Sequence, residues 1–240
     1  MPKAKLPEYN RDIFESWFAR VYDITFFITS LGSERKLRQM ILQHIPKNAK
    51  KILDMATGTA AIAIEIKKIL PKAEVTAIDL SNTMLSISKR KAEKEKTEIT
   101  FMQRNIEQTQ FPDESFDTVS ISFAMHEIPQ HNRLNVIKEA CRILKKDGTF
   151  VIMDMHKSKN KIFSLLLKMH MKIWEPDYAK TILDENLAEE LRQNNFTDVK
   201  KKEYFSGAFQ VVSGKKNINN SPISPSPFRI SSSNPQEASP

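Results

Sequence analysis

The chain has 240 residues and a formal net charge of +8. It has only five glycines, where average usage would give about 17. A single cysteine excludes a disulfide framework and a cysteine-rich zinc site, and five scattered histidines without an HExxH pairing suggest no metal. No apolar run reaches the ~18 residues that cross a bilayer, and the opening MPKAKLPEYNRD has no apolar signal core, so a cytoplasmic location is expected. The positive charge is spread along the chain and argues for no particular anionic partner.

Residues 10–45 read as helical, an N-terminal cap ahead of the first strand. KILDMA (51–56) is an apolar run ending at a turn, and residues 60–70 have helical spacing with Ile62, Ile66 and Ile69 on one side. AEVTAID (73–79) is a strand, followed by a helix over 82–95 whose Lys89, Arg90, Lys91, Lys94 and Lys96 make a solvated face. EITFMQ (98–103) and FDTVSISF (116–123) are strands. Helical spacing through Leu134, Ile137, Ala140, Cys141 and Leu144 marks a helix over 130–145 with Cys141 in the core, and Lys146-Asp147-Gly148 turns into the strand TFVIMDM (149–155). Helical stretches at about 158–174 and 184–195 precede two strands, 198–205 and 207–213, which close an antiparallel hairpin around Ser206-Gly207.

In the first of those stretches Lys157, Lys161, Lys168 and Lys172 form a narrow stripe against a wide apolar arc. That pattern fits a lid over an apolar substrate with peripheral membrane contact, or a mostly buried helix whose lysines snorkel. Residues 221–240 contain 12 serines and prolines, so 217–240 read as a disordered tail. The alternation predicts one α/β domain over 10–216. It is Rossmann-like and doubly wound, with a seven-stranded mostly parallel sheet, a C-terminal antiparallel hairpin and an N-terminal helical cap.

In such a sheet, ligands bind at the carboxyl ends of the strands. The first end carries Asp54, Ala56, Thr57, Gly58 and Thr59. The second carries Asp79, Leu80 and Ser81, the third Arg104, Asn105 and Ile106, and the fourth Ser122, Phe123, His126 and Glu127. A dinucleotide site wants G-x-G-x-x-G, but only Gly58 is present here, and Asp54 would repel a pyrophosphate. A ligand with positive charge and no phosphate, such as S-adenosylmethionine (SAM), suits these residues better. Asp79 can accept both ribose hydroxyls, a role common to NAD and SAM sites, while Ser81 is the better helix N-cap.

ILDMATGTA, VTAIDLSNTML, NIEQTQFPDESFD and EACRILKKDGTFVIMD resemble the successive motifs of class I SAM-dependent methyltransferases. Within them the chain is most similar to the ubiquinone/menaquinone-biosynthesis C-methyltransferase family. Tyr22-Asp23, Ser30-Leu31-Gly32, Ala56-Thr57-Gly58-Thr59 and the Phe205-Ser206-Gly207…Gly214-Lys215 ending share in the likeness. The resemblance implies that Asp54 sits near the methionine amino group and that Ala56, Gly58 and Thr59 supply backbone around that moiety. It implies that Asp79 holds the ribose, that Leu80 and Met84 pack on the adenine, and that Asn105 and Ile106 meet its polar edge. Ser122 and Phe123 would floor the transfer chamber. Many family members carry aspartate at Asn105. Ala60 replaces a family glycine, placing an extra methyl near the cofactor, and Ala61 replaces an acidic residue.

After the fourth strand the family typically reads Phe-Gly-Leu-Arg-Asn-Val, whereas this chain reads Phe123-Ala124-Met125-His126-Glu127-Ile128. An arginine there stays protonated, while a histidine can remove a proton. His126 is therefore expected as general base or substrate orienter, with Glu127 orienting or charging it, and His131 is expected on a solvent-facing loop. The expected function is SAM-dependent methyl transfer to a small-molecule or lipid acceptor, with a quinone-pathway ring carbon leading. An amine, a phospholipid headgroup and a phenolic oxygen are alternatives, as is a non-catalytic SAM-binding interaction protein. Nucleic acid is not expected as a partner, since the aromatic box of base N-methyltransferases is missing.

Overall fold

The computed structural model describes residues 34–161, 164–165, 171–172 and 177–219. Along the chain run α1 (Glu34–Leu42), β1 (Lys51–Met55), α2 (Ala61–Ile69), β2 (Glu74–Asp79), α3 (Asn82–Lys94), β3 (Thr100–Gln103) and β4 (Phe116–Ser122). After these come α4 (Gln130–Ile143), β5 (Leu144–Met155), α5 (Leu187–Gln193), β6 (Phe196–Tyr204) and β7 (Phe209–Lys216). Short 3₁₀ segments cover Met125–Glu127 and Asp177–Leu183.

All seven strands form one sheet in the order β3-β2-β1-β4-β5-β7-β6. Strands β1 to β5 run parallel, and β7 is antiparallel to both β5 and β6. The expected α/β architecture is therefore present. Leu53, Met55 and Ile121 on one face, and Ile52, Val75 and Val151 on the other, belong to separate apolar clusters. Central strands buried on both faces read as near-continuous apolar runs, as Ile52-Leu53-Asp54-Met55 nearly does; β4 is also buried on both faces, but with Thr118 and Ser120 among its buried residues. The strand order reverses between β1 and β4, which pair with Asp54 opposite Ser120. A crevice at the carboxyl ends follows from that reversal.

Four local expectations change. Ile69 is 49% exposed, and α2 buries Ile62, Ala63, Ile64 and Ile66 instead. On α4 the buried face includes Ile137, Ala140 and Cys141 as expected but is wider than the apolar spacing. Arg133, Val136, Ile137, Glu139, Ala140, Cys141 and Ile143 point inward, while Leu134 is half-buried. Lys146-Asp147-Gly148 does not separate two elements. It is a kink inside β5, with Asp147 at φ +61° and a register shift against β4. The helix expected over 184–195 is shorter, because Asn186 caps it, its side chain accepting from the Glu189 N–H, and it runs only to Gln193.

The edge strand β6 carries Lys200, Lys201, Lys202 and Glu203, charges that discourage edge-to-edge pairing. Among the described residues no helix is long and apolar enough to cross a membrane. Most of the cap over 10–45, much of the 158–174 stretch and the tail beyond 219 lie outside the described residues. So do Tyr22-Asp23 and Ser30-Leu31-Gly32.

Candidate active site

The loop after β1 alternates hand. Ala56, Gly58 and Ala60 all have positive φ, at +51°, +53° and +59°. Each non-glycine residue in that region costs about 1–2 kcal/mol, so neighbours must hold the loop. The Gly58 N–H donates to Asp79 Oδ2 at 2.8 Å, Ser88 Oγ donates to the Gly58 carbonyl at 2.7 Å, and Lys91 Nζ reaches Thr59 Oγ1 at 3.3 Å. A Cβ built on Gly58 would meet nothing within 4 Å, so its backbone borders open space.

Asp54 lies beneath this loop, 1% exposed. Thr57 Oγ1 donates to its Oδ2 at 2.6 Å, and Ser120 Oγ donates to its Oδ1 at 2.8 Å across the β1–β4 pair. Burial pushes its carboxyl up to about 6, the two hydroxyls partly offset this, and the Asp79 charge adds to it. Burial also raises the Asp79 carboxyl, opposed by N–H donation from Ser81, Gly58 and Leu80. Hydroxyls and backbone amides steady the two carboxylates, and a cation in the open space would favour ionisation of both.

At or just beyond the carboxyl ends of β1 to β4, Ala56, Thr57, Leu80, Asn105, Ser122 and Phe123 are half-buried, and Thr59, Met84 and Ile106 are buried. Ser81 caps α3, its Oγ accepting from the Met84 N–H at 3.2 Å. Asn105 Oδ1 accepts from the Glu107 N–H at 2.9 Å, fixing the turn after β3. That turn is tied to α4. Glu107 accepts from Asn132 and Asn135, and buried Glu139 accepts from the Thr109 N–H and hydroxyl. Phe123 has φ +51°, rare for a bulky residue, and meets Phe209 edge-on at 5.8 Å.

His126 lies past the strand end in the 3₁₀ turn and is 2% exposed. Its Nδ1 is 2.7 Å from Oδ1 of Asp154, a fully buried residue of β5. Oδ2 of Asp154 accepts the His126 backbone N–H at 3.2 Å. A carboxylate only accepts, so the shared proton sits on Nδ1. Asp154, rather than Glu127, is the carboxylate that the hydrogen bonds join to the ring. Glu127 is half-buried beside it, and its carbonyl accepts from Tyr178 Oη at 3.1 Å. His131 is exposed, in the first turn of α4 rather than on a loop.

A family model described as the ubiE/COQ5 methyltransferase family matches residues 3–212. The chain belongs to this family. The demethylmenaquinone methyltransferase of Thermotoga maritima is 29% identical over 205 residues, 81% of this chain and 87% of that protein. Its Thermus thermophilus counterpart is 30% identical over 152 residues, 63% of this chain and 68% of that protein. A solved SAM-dependent methyltransferase from T. maritima, described as a possible histamine N-methyltransferase, superposes with a TM-score of 0.63 at 18% identity. It covers 83% of this chain and 98% of its own, a likeness of fold. The ubiE/COQ5 family member described here is a SAM-dependent methyltransferase.

The residues present fit that cofactor. The buried carboxylate of Asp54 suits a cationic group, the carboxylate of Asp79 suits a pair of hydroxyls, and one open glycine suffices for a ligand without phosphate. Ala60 differs from expectation. Its methyl is fully buried and belongs to the apolar cluster on the α2 side of the sheet rather than to the open crevice, so its cost is backbone strain. Ala60→Gly is accordingly expected to leave the SAM Kd within about twofold, because relief of strain and loss of a buried methyl both act on folding. Isothermal titration checks this, and a tenfold gain in affinity would restore the steric account.

Asp154, Ser120 and Arg133 join the site only in the folded structure. Asp154 carried a signal, since it is the lone charge in the apolar run TFVIMDM and stands at a strand's carboxyl end. Arg133 carried none, because an arginine in a helix reads as solvated until its neighbours are placed.

Proposed function

We propose that the methyltransferase alkylates a ring carbon of a reduced, quinone-type phenol, with His126 as general base. The His126–Asp154 pair carries this reading. When bound, SAM supplies an electrophilic methyl and its own leaving group. The protein then has to align the acceptor and manage one proton. Asp79, Gly58 and Asn105 would bind the nucleoside end, and Asp54 the cationic end. His126 Nε2 would take the acceptor's hydroxyl proton, making the adjacent ring carbon nucleophilic. Asp154 would stabilise the imidazolium so formed. The ring carbon would gain the methyl as the thioether leaves, giving a dienone. Its ring proton then passes to solvent while the oxygen recovers a proton from His126, so the aromatic quinol is restored and one proton is released in all. The names of the T. maritima and T. thermophilus relatives support this acceptor class.

The test is turnover of SAM with a reduced short-chain demethylmenaquinone, compared with a catechol and phosphoethanolamine. Mass spectrometry should show a carbon-methylated product from the first alone. Methylation of the catechol oxygen or of the amine, with none on the quinol, would overturn the assignment.

A further inference from the structure

The turn that carries His126 is held by side chains on three sides. Arg133 Nε, on α4, donates to the carbonyls of Met125 and Ile128 at 2.8 and 2.9 Å. The same guanidinium pairs through Nη1 with Glu185, just beyond the 177–183 segment, and it is only 2% exposed. From that segment Tyr178 Oη donates to the Glu127 carbonyl. Asp154 takes the His126 N–H. Carbonyls on both sides of the imidazole are therefore anchored, and two of the anchors depend on residues 177–185 being docked.

We propose that Arg133 is a positioning residue for methyl transfer: with Glu185 and Tyr178 it clamps the 125–128 turn and fixes the pose of the His126–Asp154 pair. The inference rests on His126 being the base. Arginine suits the task because one rigid planar fork serves two carbonyls and a carboxylate together, which a lysine ammonium on a flexible stem cannot do. A buried guanidinium is a costly way to hold a turn unless the pose of that turn matters. Docking of 177–185 thereby sets the geometry of the base.

The test uses Tyr178→Phe and Glu185→Gln, with Arg133→Lys as a third variant that can fail for reasons of folding. Proton-detected NMR of the His126 ring reads the clamp without any acceptor. Exchange of the Nδ1 proton with solvent should accelerate about tenfold or more in both variants, while β1 and β4 amides keep their protection. Unchanged exchange in both overturns the proposal. With the reduced demethylmenaquinone as acceptor, kcat should fall about tenfold at unchanged SAM Kd. In a His126→Ala background the same substitutions should cause no further loss, because their effect passes through the imidazole. Losses that multiply overturn the clamp but leave the base reading standing. Near-normal activity of His126→Ala itself overturns the base reading instead.

Discussion

His126→Ala is expected to lower kcat by about 10²- to 10⁴-fold, the usual worth of a positioned general base, with SAM affinity unchanged. The imidazole is buried and its Nδ1 is committed to Asp154 at 2.7 Å, so its tautomer is set before an acceptor arrives. Asp154→Asn should approach the same loss. Asp154 accepts from the His126 ring, the His126 N–H and the Met155 N–H, and an asparagine must turn an N–H toward at least one of these donors. That leaves a buried clash of donors costing about 1–3 kcal/mol, or reverses the tautomer. Steady-state kinetics with calorimetric SAM titration measures both effects. Near-normal kcat in His126→Ala across pH 6 to 9 would leave the pair a purely structural role.

Asp54→Asn should trade cofactor affinity for stability. The Asp54 carboxyl is raised from 3.8 to about 6, and a shift of that size corresponds to roughly 3 kcal/mol against the ionised form. The protonated form contributes stability below pH 4, and this is lost as pH rises through 6. Asparagine keeps the shape, and the Thr57 and Ser120 hydroxyls can accept as well as donate. The variant should therefore melt higher than the parent at pH 7 to 8, by about 5–10 °C, with the difference vanishing near pH 4. SAM should bind about 10- to 100-fold more weakly, since a charge-assisted hydrogen bond is lost. Parent affinity should itself weaken as pH drops below 6, where the carboxyl neutralises. Calorimetry and thermal denaturation across pH 4 to 8 check both halves. A higher melting point with unchanged SAM affinity would remove Asp54 from the cofactor site.

Much of the architecture was legible because local pattern decides it. The apolar run at 51–55, the strand patterns at 73–79 and 116–123 and the helical spacing between them state a parallel sheet with covered faces, and one glycine beside Asp54 states a ligand without pyrophosphate. Asp79 and the Ser81 cap are likewise local, within a few residues of a strand end. What remained hidden depends on packing between elements distant in the chain. Ala60 looked like a steric intrusion on the ligand, but the hand of its backbone turns the methyl into the core.

Asp154 and His126 are 28 residues apart and meet only because β4 and β5 are neighbours. Arg133 and Glu139 widen the buried face of α4 beyond its apolar periodicity, because each is buried by a partner from another element. The sequence by itself determined the fold, the cofactor class and the strand ends at which to look. The tertiary structure alone decided which carboxylate holds the histidine and what clamps its turn. Periodicity and strand-end position are properties of single segments, whereas the partner of a buried charge is set by which segments pack together.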